Sequence, residues 1–164
     1  MKCKLVDVFA EKKLSGNGLT IFFDFDTLTS EQMLSLSQEM RQFESIFVLK
    51  IKDKNIFRAR IFTTEEELDF AGHPLIGLAA HLHEEYGSCN SHTWFVELNK
   101  QTIELNTFKT EDYFQATMDQ GKPEFIKGLN KYEAESIISA LNLEKEDIAN
   151  YPLEVISTGL PYLI

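Results

Sequence analysis

Glu67-Leu68-Asp69-Phe70-Ala71-Gly72-His73-Pro74, running on into Leu75-Ile76-Gly77-Leu78-Ala79-Ala80, is the stretch on which the fold turns. Proline fits the first turn of a helix, where its missing N–H leaves no bond unmade. The pattern predicts a helix from Pro74 to about Tyr86, closed by Gly87. Residues 75–80 are apolar on every side, and a helix apolar all round is buried all round. The helix is therefore expected to run through the middle of its domain, with only its tail, His81 to Glu85, reaching water.

On either side of it the chain reads as short strands. Residues 2–9, 19–25, 46–49, 56–63, 68–70, 93–98, 101–105 and 113–118 carry the β-branched and aromatic content of strands. Lys52-Asp53-Lys54-Asn55 reads as a hairpin turn and Glu65-Glu66-Glu67 as a solvated acidic bend. Thr29 with Gln32 forms a capping box, and Met33, Leu36 and Met40 recur at helical spacing behind it. Gly121-Lys122-Pro123 is a break. A second amphipathic helix spans about Lys131 to Leu141, with Asn130 as cap and Glu133 at its third position. Val155 to Ile164 reads as a strand interrupted by Gly159-Leu160-Pro161. Many short strands around one apolar helix make an α+β fold, not a βαβ repeat. A curved sheet wrapped around the helix is the natural way to bury it.

Composition narrows the function. The 164 residues are 43% hydrophobic and 26% charged, as in ordinary globular chains. A net charge of −10 repels phosphate backbones, so no nucleic-acid partner is expected. No apolar run approaches the roughly 20 residues that span a bilayer, and no charged-then-apolar leader opens the chain. A soluble, cytoplasmic protein without membrane contact is expected. Cys3 and Cys89 lie far apart with no CxxC between them and read as free thiols. His81 and His83 are two apart on a helix and face different ways, while His73 and His92 have no ligand spacing. Neither a metal site nor a cofactor is expected, and no nucleotide-binding glycine motif is present.

Two places carry candidate chemistry. A helix N-terminus offers unpaired N–H groups and a positive dipole end, so it can hold a carboxylate. Gly72 lets a ligand approach that backbone, and His73 beside it can donate a hydrogen bond or carry a proton. Glu44 lies between Phe43 and Ser45 just before the apolar run Ile46-Phe47-Val48-Leu49. A carboxylate in such surroundings suits general acid/base work. From these segments alone, simple capping at Gly72-His73-Pro74 and a solvated helix-end Glu44 are the favoured readings.

Taken together, the pieces resemble the PhzF-like family of phenazine-biosynthesis isomerase homologues, within the diaminopimelate-epimerase-like superfamily. The matching stretches are Val6-Asp7-Val8-Phe9, Leu14-Ser15-Gly16-Asn17, Phe43-Glu44-Ser45, Arg60-Ile61-Phe62-Thr63, Glu67 through Pro74, and Ser157-Thr158-Gly159-Leu160-Pro161. Each is weak alone, but their order and spacing agree across the chain. The resemblance implies two similar lobes, each a sheet curled around a central helix, with the active site in the cleft between them. It implies a proton shift on a small carboxylic acid without metal or coenzyme. Glu44 matches the family's catalytic glutamate and His73 its cleft histidine. Gly72 matches the backbone donor to the substrate carboxylate, and Ser15 and Asn17 the loop near the cleft. Diaminopimelate epimerases use paired cysteines, whereas here Glu44 takes that place and neither Cys3 nor Cys89 does.

The sequence departs from the family at Gly18 and Thr64, where relatives usually have proline, and in length. Residues 1–120 are expected to form the N-terminal lobe and residues 121–164 the start of a second, whose remainder is absent. Left without a central helix to close around, residues 121–164 are expected to self-associate as a homodimer. The alternative to an isomerase is a non-catalytic half-domain that only binds a small acid or oligomerises.

Overall fold

The computed structural model describes residues 1–53, 55–148 and 152–164. The turn expected at Lys52–Asn55 contains Lys54 and falls outside the described residues. The chain divides into two compact units, Met1–Asp119 and Gln120–Ile164.

The first unit runs β1 (Lys2–Val8), β2 (Asn17–Phe23), α1 (Ser30–Met40), β3 (Glu44–Asp53), β4 (Ile56–Phe62), β5 (Glu67–Leu68), α2 (Gly72–Tyr86), β6 (Ser91–Glu97), β7 (Thr102–Lys109) and β8 (Phe114–Met118). The strands form one sheet in the order β1-β2-β3-β4-β6-β7-β8, with β5 added on β4. Two neighbouring pairs are parallel, β2 with β3 and β4 with β6. Parallel neighbours need a crossover. α1 supplies the first, and β5 with α2 the second.

Alternation along the strands turns one face inward. Val8, Leu19, Ile21, Ile46, Ala59, Ile61, Trp94, Val96 and Leu105 form a single core with Leu75, Leu78, Ala79 and Leu82 of α2. The helix packs against β1 and β8, the two ends of the sheet, as well as β2, β3, β6 and β7. The sheet therefore curves around it. Gly77 sets the approach, since a Cβ there would stand 2.5 Å from Leu19 Cδ2 and 2.9 Å from Val8 Cγ2. The fold is α+β, a curved sheet around a central helix.

Burial of α2 goes further than the sequence suggests. His81 and His83 are both 3% exposed, and water begins at Glu84. Hydrogen bonds explain His83. Its Nε2 lies 2.9 Å from the Cys89 carbonyl, which only accepts, so Nε2 carries the hydrogen. Its Nδ1 then accepts from the Thr107 hydroxyl at 2.7 Å, and that oxygen accepts from Trp94 Nε1–H at 3.0 Å. His81 packs on the Phe23 ring at 4.5 Å, and burial pushes its pKa down. The helix also begins at Gly72, two residues earlier than expected.

On the outer face, α1 lies over a smaller cluster of Phe22, Met33, Phe47 and Phe62, with Phe22 and Phe47 stacked at 4.6 Å. The Thr29–Gln32 capping box is present. The acidic bend is narrower than expected. Glu67 belongs to β5 and takes two hydrogen bonds from the Arg60 guanidinium, at 2.8 and 2.5 Å. Arg60 holds the Glu67 carboxyl below the usual carboxylate range.

The second unit holds β9 (Glu124–Gly128), α3 (Lys131–Ala140), β10 (Glu154–Ser157) and β11 (Pro161–Leu163), with a 3-10 turn at Lys145–Asp147. Its sheet is antiparallel in the order β11-β10-β9. Asn130 and Glu133 make the expected capping box. The strand expected over Val155–Ile164 is a hairpin, because Gly159 at φ 139° turns the chain. β9 was not foreseen. No described residue of this unit is buried. Among the described residues no helix is long and apolar enough to cross a membrane.

Candidate functional site

Glu44 is the first residue of β3 and faces inward with Ile46 and Val48, two and four residues on. In parallel β2, Leu19 stands opposite it. Asn17 opens β2 on the same face as Leu19, so it shares this end of the sheet. β4 runs the other way and ends here, with Phe62 opposite Ser45. β5 turns back along β4 and delivers the chain to α2. One end of the sheet thus gathers the starts of β2 and β3, the end of β4 and the N-terminus of α2.

There His73 Nδ1 lies 2.8 Å from Glu44 Oε2, with the side chains 9% and 18% exposed. A carboxylate oxygen accepts, so Nδ1–H donates and the imidazole is oriented by Glu44. The other ring nitrogen, Nε2, is buried and has no hydrogen-bond partner among the described residues. Leaving such a group unpaired costs about 1–3 kcal/mol. A ligand group that pairs with it recovers that cost.

Ala71 caps α2 in an extended conformation and makes no side-chain hydrogen bond. The cap residue therefore does not compete for the N–H groups of the first turn, and the positive end of a 15-residue helix sits beside the Glu44–His73 pair. Pro74, the third helical residue, has no N–H, which leaves Gly72 and His73 as the donors. Gly72 is not forced by crowding. A Cβ there would meet only Met118 Cε, at an ordinary 3.7 Å. What glycine gives is an open side to the backbone.

Ser15 is exposed in the loop between β1 and β2, where its Oγ donates to the Lys12 carbonyl at 2.7 Å. The loop is tight. Phe9 and Leu14 take left-handed backbone at φ 59° and 63°, and the Leu14 N–H bonds to the Asp7 carboxylate. A Cβ at Gly16 would collide with the Val8 carbonyl oxygen, so only glycine fits before Asn17. Among the described residues, no hydrogen bond joins Ser15 or Asn17 to Glu44 or His73. The structure brings Glu44, His73 and Gly72 together and sets Asn17 at the same end.

Met118 is the neighbour that sequence reasoning missed. It ends β8, and its methyl lies over Gly72. Its only sequence signal is inward phase in an alternating strand. Nothing local ties it to a glycine 46 positions earlier, since the contact exists only once the sheet has curled.

The family model described as phenazine biosynthesis-like protein, PhzC-PhzF, matches residues 6–164. Among curated proteins, the chain is 33% identical over 156 residues to trans-2,3-dihydro-3-hydroxyanthranilate isomerase of Pseudomonas chlororaphis, covering 94% of this chain and 53% of that protein. A predicted epimerase from Pseudomonas aeruginosa matches with a TM-score of 0.91 at 44% identity, over 98% of this chain and 57% of that one. A PhzF-family phenazine biosynthesis protein from Bacillus anthracis matches with a TM-score of 0.79 at 26% identity, over 99% and 55%. The chain thus spans about half the length of these relatives. A family match over residues 6–164, on a curved sheet that presents Glu44 and His73 at a central helix end, means that the chain belongs to the phenazine biosynthesis-like PhzC-PhzF family.

Proposed function

We propose that this chain carries the acid/base side of a cofactor-independent isomerase that shifts a proton within a small carboxylic acid. The observation that carries the reading is the Glu44–His73 pair, held at 2.8 Å beside a helix end whose cap residue, Ala71, makes no side-chain hydrogen bond. The isomerase and epimerase names of the relatives support it.

The acid's carboxylate accepts hydrogen bonds from the Gly72 and His73 N–H groups. Glu44 takes a proton from a carbon made acidic by conjugation. The C–H electron pair moves into the adjoining π system, and a second carbon of that system takes the proton back from Glu44. No electrons are gained or lost, and only the double bond and one hydrogen have moved. His73 Nδ1–H fixes the rotamer of the carboxylate, and Nε2 is left to pair with a polar group of the acid. Ser15 from the β1–β2 loop and Asn17 at the start of β2 border the acid. Positioned general acid/base groups supply typically about 10²–10⁴-fold in rate.

Glu44→Gln tests the role. In D2O, with the relatives' trans-2,3-dihydro-3-hydroxyanthranilate as probe, the variant should lose deuterium incorporation by about 10²-fold or more, with an unchanged circular-dichroism spectrum. The measurement is made on the chain alone and mixed with a polypeptide spanning the rest of a relative. Unchanged exchange would remove Glu44 from the mechanism. A second reading, a non-catalytic acid-binding module, is favoured by the Gly72–His73 helix end itself, which can hold a carboxylate without any proton transfer. Binding without exchange in either preparation would select it.

A further inference from the structure

We infer that Met118 determines specificity at this site, as the apolar wall against which the carbon skeleton of the bound acid lies. The inference rests on the proposed carboxylate site at Gly72 and His73. Met118 closes β8 opposite Leu105 and packs inward with Ala116 on the main core. β8 is the last strand of the sheet, and α2 packs against it. Around the position a Gly72 Cβ would take, the Met118 methyl is what lies within 4 Å, at 3.7 Å. The helix end therefore has two unlike borders. One is the His73 imidazole, which offers a nitrogen, and the other is a thioether, which offers apolar surface.

An acid whose carboxylate sits on the Gly72 and His73 N–H groups places its next carbons along those borders. Acetate is too short to reach Met118. A ring or conjugated chain lies on it. A thioether is suited to this, being unbranched, polarizable and favourable against the edge or face of an unsaturated ring. Met118 has no group that moves a proton, so its contribution is to selection. The site takes acids that carry an extended unsaturated skeleton on the carboxylate and discriminates against short aliphatic ones.

The test uses the chain labelled with ¹³C at its methionine methyls, four in all, and two probes, acetate and benzoate. Both should shift the backbone amides of Gly72 and His73. Benzoate alone should shift the Met118 methyl, through its ring current. Met118→Ala should weaken benzoate about tenfold, the loss expected of a missing apolar contact in a pocket, while Met118→Leu keeps most of the affinity. If benzoate moves the two amides but leaves the Met118 methyl in place, Met118 is no wall and the carboxylate site survives. If Met118→Ala binds benzoate as the parent does, the result is the same. If neither acid moves the amides, wall and carboxylate site fall together. The methyl shift is read on the unaltered chain, so the outcome does not depend on a variant folding.

Discussion

Three histidines on one helix have three different fates, and the differences come from what each ring nitrogen meets. His73 donates to Glu44 and leaves Nε2 without a hydrogen-bond partner among the described residues. His83 is satisfied at both nitrogens. His81 is buried against Phe23, with Nδ1 unpaired among the described residues. Burial is the largest influence on His81. Glu85 and Glu84 oppose it, and Lys4 adds to the lowering. A histidine whose folded pKa lies below its ordinary value of 6.5 binds fewer protons folded than unfolded. Its contribution to stability is therefore complete above that value and is lost as pH falls below it. Urea midpoints should drop between about pH 7.5 and about pH 5.5, and His81→Phe should flatten that drop. An equal drop in the variant would clear His81. Glu67, held low by Arg60, adds its own loss only below the ordinary glutamate value of 4.5, so the two windows separate.

At the scale of elements, everything in the first unit depends on α2. Leu78 and Ala79 have no exposed surface. A carboxylate at either would be buried without a partner, at a cost of about 3–5 kcal/mol. That is a large share of a domain's stability. Leu78→Asp or Ala79→Asp should therefore be unfolded by circular dichroism, and a cooperative melt from either would show that the helix is not central. This element was legible because its signal is local. So were both capping boxes, Thr29–Gln32 and Asn130–Glu133, in which four consecutive residues settle the geometry. β9 was not legible, because Glu124–Gly128 is exposed throughout and shows no alternation. The burial of His81 and His83 was hidden because imidazole reads as polar until its partners are known, and Thr107 is 24 residues from His83. In the site, Glu44 and His73 could be named through the family pattern. Their pairing depends on strand register, which no short stretch encodes.

Over the whole molecule, the contrast between the two units is in burial. Leu141 is 63% exposed and Leu163 41%, with Ile137, Val155 and Ile156 only half covered. Apolar surface left open in this way usually marks an interface. We propose self-association through residues 121–164, most simply as a two-fold dimer. Sedimentation should show a dimer at tens of micromolar, weakened by Leu141→Asp. A clean monomer in which residues 121–164 resist protease would sink the proposal. The encircled helix has a further consequence during translation. β1 to β5 are synthesised before α2, and β6, the parallel partner of β4, follows it. The nascent strands therefore leave the ribosome with an inward face, Val8, Leu19, Ile21, Ile46 and Ile61, that has nothing to lie on. Chains emerge at about 5–20 residues per second, so this face waits on the order of seconds for its helix. During that interval the growing chain is a client for whatever holds unfinished polypeptides apart.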